Sequence, residues 1–194
     1  MVLAAGGGRR YGQPKALVRH DDGQLLVERA AATLRAGGCA PIVVVLGAEA
    51  DRVRRRAWLV DATPVDNPDW MSGMGSSLRV GLSALAETDA DAVAVLLVDT
   101  PGIGPGAVRR LAGAVDGRGA LITATYGGRR GHPVLLGRDH WAGVAQLATA
   151  DVGARAYLAM HTAEVRGVPC EDIADDTDLD VPPDRTGAEP GADS

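Results

Sequence analysis

Short β-branched or aliphatic runs alternate along this chain with longer stretches in which apolar residues return every three or four positions. Residues 2–5, 42–46, 93–98, 121–125, 133–136 and 164–168 read as strands. Residues 25–35, 50–58, 77–85, 107–115, 139–147 and 153–160 carry the helical spacing. The strand runs lack polar alternation, which predicts burial on both faces. Strands alternating with helices then predict a single-domain α/β fold, a doubly wound and mainly parallel sheet. Sheets of that kind bind ligands at the carboxyl ends of their strands, in the loops that lead into helices.

With 194 residues, 46% of them hydrophobic, the chain is long enough for one sizeable core. Residues 1–182 are expected to form that domain. Residues 183–194, rich in proline, glycine and charge, offer little to bury and are expected to be a disordered tail. The formal net charge of −5 and the absence of any basic stripe interleaved with aromatics argue against a nucleic-acid partner. Cys39 and Cys170 are far apart and belong to no paired motif, so neither a disulfide framework nor a zinc site is indicated. No apolar run approaches the roughly 20 residues needed to span a bilayer, and no signal-peptide core is visible, so no membrane partner is expected. A soluble, cytoplasmic protein is the expectation.

Three loops carry candidate chemistry at strand ends. The first runs from Leu3 to Lys15 and contains Gly6, Gly7 and Gly8, which let the backbone approach a polyphosphate and turn several N–H groups toward it. Arg10 and Lys15, the chain's only lysine, add cationic donors. The spacing is neither that of a Walker loop nor that of a dinucleotide fingerprint. In the second loop Asp99 ends an apolar strand and is followed by Thr100 and Pro101. A carboxylate there suits Mg²⁺ held against phosphate oxygens, and a turn or capping aspartate is the plain alternative. The third segment, 67–78, is polar and glycine-rich, with Ser76 as the expected N-cap of the following helix. Trp70 and Met74 read as core fillers unless the segment faces a ligand. Two further stretches stand out: 130–135 around His132, which is equally readable as a structural histidine, and the acidic run around Asp175, Asp176, Asp178 and Asp180.

Leu3-Ala4-Ala5-Gly6 followed by Arg10, Gly12 and Lys15 resembles the signature loop of the nucleotidyltransferases related to the molybdenum cofactor guanylyl- and cytidylyltransferases. Asn67, Pro68 and Trp70 with Gly73, Met74, Ser76, Ser77 and Leu78 are similar to a block of the cytidylyltransferase type. Asp99-Thr100-Pro101 resembles the family's Asp-x-Pro metal motif, and Gly131-His132-Pro133-Val134 its block beside the acceptor pocket. Residues 178–184 resemble its terminal acidic block, with Val181 in place of a threonine and Pro183 in place of an acid; Gly8 stands where many relatives carry a small hydroxyl residue.

The resemblance covers residues 2 to about 182 and implies a Rossmann-like nucleotide-binding topology of the nucleotide-diphospho-sugar transferase kind. It implies Mg²⁺-dependent transfer of CMP from CTP to the phosphate of molybdenum-molybdopterin, with pyrophosphate released. Leu3, Ala4, Ala5, Gly6, Gly7, Gly8, Arg10, Lys15, Asn67, Ser76 and Ser77 would hold the nucleotide. Arg10, Lys15 and Asp99 would be catalytic, Asp99 and Asp180 would ligate the metal, and Gly131 and His132 would face the acceptor. Ala5 replaces a glycine typical of the guanylyl members and narrows the base pocket, which favours CTP over GTP. A transient contact with a molybdoenzyme or its chaperone is a further implied partner. The alternatives are GTP as donor, another phosphorylated acceptor such as a sugar phosphate, and a non-catalytic module that hands over molybdenum cofactor.

Overall fold

The apolar runs become the strands of one sheet. The computed structural model describes residues 1–179; Asp180 and the 183–194 tail lie outside the described residues. The strands are β1 (Val2–Ala4), β2 (Ile42–Leu46), β3 (Ala62–Asp66), β4 (Ala92–Leu97), β5 (Leu121–Tyr126), β6 (Arg129–Gly137) and β7 (Arg166–Pro169), in the order β3-β2-β1-β4-β6-β5-β7. The pairs β1/β2, β1/β4, β2/β3 and β5/β7 are parallel, and β6 alone runs antiparallel to its neighbours β4 and β5. Reversal at β6 follows from Gly127 and Gly128, which both take positive φ (56° and 81°) and close a two-residue hairpin that β-branched or bulky residues disfavour.

The helices are α1 (Leu26–Ala36), α2 (Ala50–Arg56), α3 (Met74–Ala86), α4 (Pro105–Ala112), α5 (Trp141–Leu147) and α6 (Arg155–Met160). Successive strand residues point to opposite faces, and each face has its own core. Val2, Val44, Leu46, Leu96 and Ile122 pack with Leu34 of α1 and Leu111 of α4. Leu3, Val43, Val45, Val95 and Leu121 pack on the other face with Leu78 and Leu82 of α3, Val144 of α5 and Leu158 of α6. Two-sided burial is thus what makes these strands continuously apolar.

Several boundaries depart from the hydrophobic pattern. Strand β3 was not expected, because it is an edge strand paired only with β2, partly exposed and interrupted by Pro64, and it carries no continuous apolar run. Helix α3 starts at Met74 rather than 77, so Ser76 is not its N-cap; Gly73, with φ 108°, occupies that position. The stretch 139–147 divides into a 3₁₀ turn, Arg138–His140, and α5. Among the described residues no helix is long and apolar enough to cross a membrane.

Leu96 in the central strand β4 is 1% exposed. Its replacement by alanine removes buried methyl groups where both sheet faces are already filled, and the expected loss is about 2–5 kcal/mol in a denaturant titration.

Candidate functional site

Because β1, β2, β3 and β4 are parallel, the loops leaving them emerge together. A cleft of 410 Å³ opens there, bounded by the glycine loop after β1, the segment after β3 and the start of the loop after β4. Its volume falls in the usual range for small-molecule sites. Of the residues singled out in the sequence, Leu3, Ala5, Gly6, Gly7, Gly8, Arg10, Lys15, Ser77 and Asp99 all line it. Ala4 faces the core on the α1 side instead.

The glycine loop is shaped by its own backbone. Gly8 has φ +60°, its carbonyl accepts from Gly12 N at 2.8 Å, and a Cβ there would sit 1.8 Å from the Gln13 carbonyl oxygen. Only glycine fits this backbone without a shift of the Gln13 carbonyl. Trp70 packs against Gly7 and Gly47: a Cβ on Gly47 would come within 2.6 Å of the Trp70 Cβ. The indole is therefore a wall of the cleft as well as a partly buried packing group.

Pro14 leads into a 3₁₀ turn, Lys15–Leu17, that aims the lysine across the cleft. Lys15 Nζ donates to Asp99 Oδ2 at 2.8 Å, with the two side chains 14% and 23% exposed. The loop after β4 is held from the C-terminal side, where Leu179 N donates to the Asp99 carbonyl at 2.8 Å and Asp175 N to the Gly102 carbonyl. Among the described residues no three His, Cys, Asp or Glu side chains converge as a metal cage.

Asn67 and Ser76 are buried just behind the cleft. The Asn67 amide donates to Ser76 Oγ (2.8 Å) and Ser77 Oγ (3.0 Å), and its carbonyl oxygen accepts from Asp69 N. The asparagine thus ties the 67–72 segment to α3, and of these residues Ser77 is the one that reaches the cleft wall. Asp151, from the short turn between α5 and α6, supplies an acidic lining group and accepts from Met74 N at 3.3 Å at the start of α3. Gly73 makes room for that turn, since a Cβ there would meet the Ala150 carbonyl carbon at 2.4 Å. Arg9 and Asp151 were missed in the sequence. Arg9 is adjacent to a residue that was chosen, whereas Asp151 is far along the chain and has no local motif.

A second cavity of 350 Å³ adjoins the first and shares Leu3, Met74 and Leu97 with it. Gly131 and His132 line it. The β5/β6 register pairs Thr123 with Val134 but Ala124 with Gly131, so His132 and Pro133 form a bulge that turns the imidazole into the cavity. His132 Nδ1 lies 3.3 Å from the Val95 carbonyl, and Tyr126 donates to the His132 carbonyl at 2.7 Å. Burial pushes the imidazole pKa below its ordinary value. Gly131 has a packing reason of its own, since a Cβ would lie 2.1 Å from Asp176 Oδ2. Asp176 is itself paired with Arg129 at 2.6 Å and lines the second cavity, not the first.

A glycine loop at the carboxyl edge of a parallel sheet, faced by a lysine and a strand-end carboxylate, defines an α/β protein of the nucleotidyltransferase class. The chain belongs to the family of MobA-like NTP transferase domains, whose family model matches residues 1–165. It is 40% identical over 190 residues to nicotine blue oxidoreductase of Paenarthrobacter nicotinovorans, covering 93% of this chain and 91% of that protein. The crystal structure of Rv0371c from Mycobacterium tuberculosis H37Rv superposes with a TM-score of 0.77 at 26% identity, over 93% of this chain and 90% of that one. The inositol-1-phosphate CTP transferase of T. maritima shares the fold, with a TM-score of 0.64 at 16% identity over 87% of this chain and 83% of that one. Their common architecture agrees with the nucleotide-diphospho-sugar transferase type of fold implied by the signature loop.

Placing a side chain at Gly8 would force the loop open. Gly8→Ser is expected to weaken nucleoside triphosphate binding by about tenfold or more, roughly 1.4 kcal/mol, with little change in melting temperature because the loop is at the surface. A calorimetric titration giving wild-type affinity would show that the loop need not hold this shape.

Proposed function

We propose that the protein transfers CMP from CTP to a phosphate on its acceptor, molybdenum-molybdopterin, with pyrophosphate leaving. The observation that carries the reading is the Lys15–Asp99 pair, which lines the same cleft as Gly6, Gly7 and Gly8. The acceptor phosphate attacks the α-phosphorus of CTP; the bond from that phosphorus to the bridging oxygen breaks and the electron pair leaves with pyrophosphate. A phosphate monoester is already ionised at neutral pH, so positioning and charge neutralisation supply the catalysis. Arg10, Lys15 and the glycine-loop amides hold the triphosphate, and Ala5 narrows the base side toward cytosine.

Asp99 would hold a magnesium ion, a hard cation suited by a carboxylate oxygen beside phosphate oxygens. When bound, the ion adds positive charge against the reacting phosphates. Asp180, the other carboxylate implied by the family pattern, lies outside the described residues.

The pair also makes nucleotide and metal binding depend on each other. In the ligand-free protein Lys15 neutralises Asp99, so a cation alone competes with the ammonium and a triphosphate alone competes with the carboxylate. Arriving together, the two ligands satisfy both groups. Lys15→Met should therefore raise the affinity of the nucleotide-free protein for Mg²⁺, by about threefold or more, while lowering CTP affinity by at least about tenfold. Both are read by calorimetry; a magnesium affinity that does not rise would remove Asp99 from the metal site.

The direct test is pyrophosphate release on incubation with Mg²⁺, each nucleoside triphosphate and molybdenum cofactor. The expected result is release with CTP above GTP, abolished by Asp99→Asn; tighter binding of GTP than CTP would overturn the choice of base. A second reading, an oxidoreductase, is favoured by the name of the 40% identical relative. It predicts no pyrophosphate in the same incubations and, with nicotine blue and an electron donor, a change in the redox state of the dye.

A further inference from the structure

His132 is a titratable group turned into the second cavity, and the proposed transfer leaves it unused. Its Nδ1 lies 3.3 Å from the Val95 carbonyl. A carbonyl can only accept, so the proton of the neutral ring is on Nδ1 and Nε2 carries a lone pair. Burial, with the Arg155 charge, lowers the imidazole pKa against the pull of the Val95 carbonyl, Asp99 and Asp176, which keeps the ring neutral at pH 7. Nε2 makes no hydrogen bond among the described residues. Nor is it one of the unpartnered polar atoms closed off from solvent, which are His20 Nδ1 and the Thr123 hydroxyl oxygen. It is therefore open to the cavity that His132 lines. Three arginines, Arg129, Arg130 and Arg155, line that cavity against two aspartates, Asp176 and Asp178. Arg129 is taken up by Asp176 at 2.6 Å, while Arg130 and Arg155 have no ion pair among the described residues.

We propose that His132 is a specificity-determining residue: its Nε2 accepts a hydrogen bond from an N–H or O–H of a ligand whose anionic group is taken by Arg130 and Arg155. The assignment rests on the reading of the second cavity as the acceptor site of a nucleotidyl transfer. It adds a polarity to that site. Nε2 of this tautomer accepts and cannot donate, so a ligand that turns a carbonyl or a bare ring nitrogen toward it sets lone pair against lone pair. A ligand with no polar atom there leaves Nε2 desolvated and unpaired, and sites built to bond an N–H strongly reject the analogue that lacks it. The fold fixes the sign of this polarity. The Val95 carbonyl in β4 keeps the proton on Nδ1, and Tyr126 in β5 holds the bulge by donating to the His132 carbonyl at 2.7 Å.

Discrimination between two probes separates this role from a structural one. Pterin-6-carboxylate and quinoxaline-2-carboxylate are both flat bicyclic anions built on a pyrazine ring, and only the first carries N–H donors. By calorimetry without nucleotide, the wild-type protein is expected to bind the pterin at least about tenfold more tightly than the quinoxaline. His132→Leu should cut that ratio to about threefold or less, and Arg155→Ala should weaken both probes alike. A second measurement needs no variant to fold. In wild-type protein isotopically labelled on the histidine nitrogens, NMR should show the His132 proton on Nδ1, and the Nε2 resonance should shift when pterin-6-carboxylate saturates the site. A proton on Nε2, an unmoved Nε2 resonance at saturation, a ratio unchanged by His132→Leu, or unchanged binding of both probes by Arg155→Ala overturns the assignment. No nucleotide is present, so this outcome is independent of pyrophosphate release: discrimination without release would leave His132 reading a ligand of some other reaction, and release without discrimination would leave the transfer standing and His132 outside it.

Discussion

Strand β1 is three residues long and hydrogen-bonded on both edges, to β2 on one side and β4 on the other, in parallel with both. That double pairing is the constraint on which the rest of the molecule depends. It leaves the chain after Ala4 one way out, at the carboxyl edge between two strands whose own loops emerge beside it. Leu3 and Ala5 point to one face and Val2 and Ala4 to the other, so each core receives side chains from the same short strand. The geometry then brings together residues 84 positions apart, and Lys15 meets Asp99 without any local motif connecting them.

The parallel half of the sheet was legible in the sequence because burial on both faces leaves a continuous apolar run, and the cleft was legible because parallel strands deliver their loops to one edge. What could not be read is informative about where physics acts over distance. Edge strand β3 is stabilised by one neighbour and by little burial, so its composition differs hardly at all from that of a loop. Ser76 looked like a helix cap because caps are recognised by residue type, but Gly73 holds the position through a positive φ that tolerates the approach of Ala150. Asn67 looked like a ligand contact and is seen to fasten a loop to a helix. Asp151 carries no motif, and its place in the cleft arises only once the turn before α6 stands against the start of α3.

The two cavities divide the polar chemistry between them. Lys15, Arg10 and Asp99 belong to the first, and Arg130, Arg155 and His132 to the second. Leu3, Met74 and Leu97 are common to both, and across them the Asp99 carboxylate acts on the His132 imidazole. Under the proposed transfer the reacting groups meet there, and the side chains on either side bear on what can react. A hydroxyl nucleophile must lose a proton. Lys15 holds the Asp99 carboxylate, while burial favours the neutral His132 imidazole, which donates from Nδ1 to the Val95 carbonyl and keeps Nε2 as its one acceptor. A phosphate monoester arrives already ionised and asks only for a position and a counter-charge. A phosphate acceptor therefore makes no demand on His132 and draws its counter-charge from the cations that line the two cavities, Arg10 and Lys15 in the first and Arg130 and Arg155 in the second.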